Sequence, residues 1–155
     1  MDEKKYKTPQ SVSKASEPPV PYTSAIAPST YLHKVSSYNL NKAQLPGKAL
    51  LALQEETSLP PGIFADILGI SKSKYYDLVK MNNLDTKNID ALADFIALWN
   101  KGVEAFDGDK SLLKQWMSTP NENLGGIAPI SLLASRLGRR ELERAFLRIE
   151  HSIYG

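Results

Sequence analysis

The amino-acid sequence predicts an all-α fold, and three observations lead there. From residue 46 onward, large apolar residues recur at three- and four-residue steps, the period of a helix face. Glycine and proline fall mainly between those runs, at positions suited to starting and stopping helices. No stretch of alternating β-branched residues competes for a strand.

Taken in order, Pro46 and Gly47 open a first helix bearing Leu50, Leu51 and Leu53. Residues 57–62 (Thr-Ser-Leu-Pro-Pro-Gly) break it, with prolines placed to begin the next. Ile63, Phe64, Ile67 and Leu68 form a helical stripe that Gly69 stops, and Ser71 is the expected N-cap of a short helix over 72–80. In that short helix Tyr75, Leu78 and Val79 are the candidate inner residues. Asp85 or Thr86 caps the longest helix, where Ile89, Leu92, Ala93, Ile96, Trp99, Val103 and Phe106 make one continuous apolar face. Gly108 ends it, and Asp109 caps a shorter helix with Leu112, Leu113, Trp116 and Met117. Residues 119–126 read as a loop. Pro129 starts another short helix (Ile130, Leu132, Leu133) that Gly138 is expected to end, and a final helix runs from Arg139 to about Ser152. Trp99, Phe106, Trp116 and Phe146 are expected in the core.

The 155 residues include no cysteine and two histidines, His33 and His151. That excludes thiol catalysis, disulfide scaffolds and cysteine-ligated metal, and leaves no metal site or cofactor to expect. No apolar run approaches the ~20 residues that span a bilayer, and the N-terminus lacks a secretory apolar stretch. The expectation is a soluble, cytoplasmic protein without a membrane partner.

Charge and proline divide the chain. Five of ten prolines lie within the first 28 residues, and residues 1–40 carry five Lys against three acids. Residues 41–155 hold fourteen of each sign, so the net +2 belongs to the leading segment. Few large aliphatics occur before Leu32, too few to offset ordering entropy, so residues 1–40 read as a flexible leader or a basic arm. The expected division is therefore a leader over 1–40, a helix-turn-helix domain over 41–102 and a C-terminal domain over 103–155.

Residues 64–76 (Phe-Ala-Asp-Ile-Leu-Gly-Ile-Ser-Lys-Ser-Lys-Tyr-Tyr) fit a helix-turn-helix. Ala65 is small where the two helices pack, Gly69 supplies the positive φ of the tight turn, and Ile70 plugs the core. Ser71, Lys72, Ser73, Lys74 and Tyr76 are the candidate DNA-binding residues on the first turns of the second helix. Asp77 lies among the lysines, and no arginine is present for a bidentate contact to guanine. A three-helix core without DNA binding fits the same pattern. A single such module reads a short half-site, which favours a homodimer on operator DNA.

The C-terminal third holds Trp116, Thr119-Pro120-Asn121, Leu124-Gly125-Gly126, Pro129 and Leu132-Leu133, then Gly138, Glu141 and Arg148 through Gly155. These residues resemble the Xre/MbcA/ParS family of antitoxins over roughly 103–155, and the helix-turn-helix sits where that family places its Xre-like domain. The resemblance implies a non-enzymatic protein whose C-terminal module binds an NAD-consuming RES-domain toxin and inserts its C-terminal end toward the toxin's active site. It also implies a dimerising, autorepressing Xre-like domain within a hetero-oligomeric complex. Carried onto this chain, the toxin-binding candidates are Asn121, Gly125, Gly126, Arg148, His151, Ile153, Tyr154 and Gly155, to which the helix face adds Arg144. Independently, Arg144, Arg148 and His151 share one helix face, a cationic stripe suited to an electronegative cleft. A solvated face paired with Glu141, Glu143 and Glu150 accounts for the same residues, and local turn hydrogen bonds account for Asn121. The competing functional reading is a free-standing helix-turn-helix transcriptional regulator with no toxin partner. Catalysis is not expected: Gly125-Gly126 lacks the spacing and the preceding strand of a phosphate-binding loop.

Overall fold

The computed structural model describes residues 44–154, with side chains through residue 152. The expected leader, residues 1–40, lies outside them. Helices follow one another as α1 (Ala49–Thr57), α2 (Pro61–Leu68), α3 (Lys72–Val79), α4 (Thr86–Ala105) and α5 (Lys110–Ser118). Two 3-10 segments, Glu122–Leu124 and Pro129–Ala134, then lead into α6 (Arg136–Tyr154). No strand occurs among the described residues, so the fold is all-α as expected; one isolated bridge joins Asn121 to Ile127. Also among the described residues, no helix is long and apolar enough to cross a membrane.

Local chemistry sets most boundaries. The side chains of Ser71, Asp85 and Asp109 accept from the backbone N–H groups of Lys74, Asn88 and Leu112, capping α3, α4 and α5. Pro61 occupies the first turn of α2, where a missing N–H costs nothing. Gly69 closes α2 at φ +66°, a left-handed conformation that L side chains adopt only with strain. Ahead of α1, the Gly47 N–H donates to the Met81 carbonyl, and the Leu84 N–H to that of Leu45, tying the start of the body to the α3–α4 linker.

One boundary differs from expectation. Gly138 does not end a helix; it lies in the first turn of α6, whose start Ser135 caps through its hydroxyl to the Gly138 N–H. The preceding segment is a 3-10 helix, begun by Pro129, with Ala128 contributing no side-chain cap. Glycine is required at 138 for space: a Cβ there would lie 2.2 Å from the Leu132 carbonyl oxygen.

A single apolar cluster runs from Leu45 to Phe146. Phe64, Tyr75 and Phe95 are fully buried near its helix-turn-helix end, with the Phe64 ring edge-on to Phe95 at 5.4 Å between centroids. Leu113, Met117, Leu133, Leu142 and Phe146 continue it toward the C-terminus. Helix α4 packs against both α2 and α6, and α2 also rests on the 3-10 helix Pro129–Ala134. At Gly102 on α4 a Cβ would sit 2.8 Å from the Phe146 ring, so α4 and α6 meet almost backbone to side chain there.

Candidate functional site

The C-terminal site is built from the turn after α5 and the second half of α6. Thr119 Oγ1 donates to the Gln115 carbonyl at the end of α5, and the chain then folds back on itself. Asn121 anchors the fold-back: its N–H donates to the Ile127 carbonyl, and its own carbonyl accepts from Leu124 and Gly126. Its Oδ1 accepts from the Asn123 N–H at 2.9 Å. The Asn121 side-chain oxygen is thus committed to the turn, the local role that the residue type favours. Gly125 and Gly126 take φ +75° and +79° in succession, with open space around each, so this pair serves the turn's backbone geometry.

Helix α6 presents its apolar face, Leu142, Ala145, Phe146 and Ile149, to the core and this turn. The Trp116 ring lies between Phe106 and Phe146, 5.6 Å from each centroid to centroid. Trp116 and Phe106 are only partly buried, unlike Trp99 and Phe146. The exposed edge of Trp116 floors an open groove of about 520 Å³, together with Leu124, Ala145 and Ile149. Asn121, Asn123, Arg148 and Ser152 complete its lining. The fold therefore brings together two candidates, Asn121 and Arg148, that lie 27 positions apart.

Arg144 and His151 stand exposed on the same outer face as Arg148 but do not line that groove. Arg144 donates to Glu141 at 2.5 Å, a surface pair that contributes little to stability. Arg148 has no ion-pair partner among the described residues. Ile153 and Tyr154 continue the last turn of α6, and Gly155 lies outside the described residues, as do the side chains of the former two.

At the other end, Lys72, Ser73, Lys74 and Tyr76 are all exposed on α3, as a reading helix requires, while Tyr75 is fully buried. Ser71 spends its hydroxyl on the N-cap. A second groove, about 480 Å³, runs between α4 and the start of α6 and carries both charge signs, with Asp90 and Asp94 on one wall and Arg136 and Arg140 on the other. Among the described residues no His/Asp/Glu cluster could hold a metal.

Sequence reasoning missed the exposed leucines of α6. Leu137 is 70% exposed and Leu147 45%, and both stand on the outer face with Arg140, Arg144 and Arg148. Their signal was present: both fall off the register of the buried residues Leu142, Ala145, Phe146 and Ile149.

Residues 101–151 match the family model described as the antitoxin Xre/MbcA/ParS C-terminal toxin-binding domain. The chain is also similar to two curated proteins named Antitoxin Xre. One, from Yersinia enterocolitica, is 36% identical over 63 residues, 41% of this chain and 43% of that protein. The other, from Photorhabdus laumondii, is 36% identical over 62 residues, covering 40% of this chain and 42% of that protein. This chain thus matches less than half the length of either relative.

Proposed function

We propose that this chain, whose residues 101–151 match the toxin-binding domain of the Xre/MbcA/ParS antitoxins, is a non-catalytic antitoxin that neutralises a RES-domain, NAD-consuming toxin. The observation that carries this reading is the overlap of the matched toxin-binding domain with the groove that unites Asn121 and Arg148. In this mechanism residues 103–155 hold the toxin: α6 and the tail over 153–155 lie across its active-site cleft and deny access to NAD. Arg148, without an ion-pair partner among the described residues and beside an apolar floor, suits that task, since a cation and an aromatic edge together recognise an acidic, partly apolar cleft. Residues 41–102 supply the second role, repression of the chain's own operon by a cytoplasmic homodimer.

The test is co-expression with a RES-domain toxin in a growth assay, with cellular NAD measured alongside. Restored growth and NAD, with a stable complex on purification, is the expected result. A chain that leaves the toxin fully active and forms no complex overturns the reading.

A stand-alone DNA-binding regulator is the second reading, favoured by the exposed Lys72, Ser73, Lys74 and Tyr76 on a properly capped α3. The paired substitution Lys72→Ala and Lys74→Ala separates the two. Under the antitoxin reading it removes operator binding and leaves neutralisation intact; under the regulator reading it removes the only function there is.

A further inference from the structure

The groove between α4 and the start of α6 takes no part in the proposed function, and it keeps its two signs of charge apart. Asp90 and Asp94, one helical turn from each other on α4, make the acidic wall; Arg136 and Arg140, one turn apart on α6, make the basic wall. All four residues are exposed. The described residues form three ion pairs, and none of them joins these two walls. Other charges in the lining are already committed. Lys101 pairs with Glu143, and Arg139 donates to the Leu133 carbonyl at 2.8 Å.

The two arginines also stand where a helix tolerates them least. The first turn of α6 contains no acid, so Arg136 and Arg140 add their charge to the positive end of the helix dipole. A carboxylate brought from outside relieves that repulsion. On the facing wall, Asp90 and Asp94 call for cations in the same way. An occupant of this groove must therefore present acids on one side and bases on the other, and this chain carries that arrangement itself.

We propose that the groove is a self-association surface, occupied by the same groove of a second copy of this chain. A two-fold axis running along the groove, between its walls, sets α4 of each copy over α6 of the other. Asp90 and Asp94 of one copy then meet Arg136 and Arg140 of its partner, twice over, as an isologous contact demands. The other two-fold that brings the grooves together runs across them and sets acid over acid. Ala97 and Leu98 floor the groove, and Leu137, 70% exposed, flanks the basic wall on α6. Burial of Leu137 against the partner gives the contact an apolar anchor. Nucleic acid is repelled by the acidic wall. This is a second contact between copies, beside the homodimer proposed for operator binding, and it stands apart from the antitoxin reading because self-association needs no toxin. No residue of α3, and none that lines the groove at Trp116, takes part in it. A chain paired in this way keeps both of those surfaces open.

Sedimentation equilibrium of the full chain tests the proposal, with one variant reversing each wall. Asp90→Lys with Asp94→Lys makes both walls basic, and Arg136→Glu with Arg140→Glu makes both acidic. At equal concentration each variant alone should show a mass about half that of wild type or less, since like charges now face each other across the two-fold. An equimolar mixture of the two variants should recover the wild-type mass, because every contact again joins opposite charges. A chain carrying all four substitutions should recover it as well. Both variants should keep the circular dichroism of wild type: the residues are exposed, and glutamate at the start of α6 suits the helix dipole. Equal masses for wild type and both variants overturn the proposal, whether the groove is then filled by the toxin, by residues 1–40 or by nothing. So does a mixture that stays at the mass of its parts, since the walls would not be meeting one another.

Discussion

The Tyr75 hydroxyl donates to Gln54 Oε1 at 2.7 Å, joining the helix that would read DNA to α1 across 21 positions of sequence. Burial, and then the neighbouring Tyr76, raise that hydroxyl from 10.0 to about 12. The folded chain therefore keeps Tyr75 protonated after the unfolded chain has begun to lose its proton. The resulting stability is fully present below about pH 10 and is lost as the pH rises toward 12. Urea melts at increasing alkaline pH should show this loss. The Tyr75→Phe variant should lack this component of it, at a cost of about 1 kcal/mol near neutrality for the missing hydrogen bond.

Gly138→Ala should destabilise the protein by about 1–3 kcal/mol, the usual range for an overpacked site. The obstacle is backbone, the Leu132 carbonyl oxygen at 2.2 Å from an added Cβ, so no flexible side chain can yield. Thermal denaturation checks this, and a variant as stable as wild type would show that Leu132 and α6 can separate enough to admit a methyl group at little cost.

Phe146→Ala should cost about 3–5 kcal/mol, because the ring is 2% exposed and packs beside Gly102 and Trp116. It should also loosen the groove, since Trp116 loses one of its two aromatic neighbours. Intrinsic tryptophan fluorescence should then shift to the red at temperatures where the variant is still folded.

Arg148→Glu, and separately removal of residues 153–155, should leave the melting temperature near that of wild type. Arg148 is exposed and unpaired among the described residues, so the fold does not depend on it. Both changes should release the activity of a co-expressed RES-domain toxin, measured as falling cellular NAD. Full inhibition by both would remove the occluding tail from the mechanism.

Much of the architecture was legible because its signals are local. Ser71, Asp85 and Asp109 cap their helices through N–H groups three residues onward, and Gly69 takes the positive φ that its turn demands. Gly138 departs from its expected place for the opposite reason: its necessity comes from contact with Leu132 in the preceding segment, and in sequence a glycine required for space looks the same as one that stops a helix. In the candidate site, the turn chemistry of Asn121 was readable, but its meeting with Arg148 required the return of α6 past Trp116. Leu137 and Leu147 escaped notice because an apolar residue in a helix is ordinarily counted toward the core. Only the packed position of α6 shows that both point outward.

The cluster from Leu45 to Phe146 has a thermodynamic consequence for regulation. With α2 seated on the segment that leads into α6, and α4 serving both ends, the body should melt in one cooperative transition. Any ligand held by α6 then lowers the population of open forms throughout the body, including those in which α3 is unravelled. A chain engaged at its C-terminal end would be longer-lived against proteases, and the same chain set free would be consumed sooner. Partner occupancy would in that way be converted into lifetime, without any change in shape.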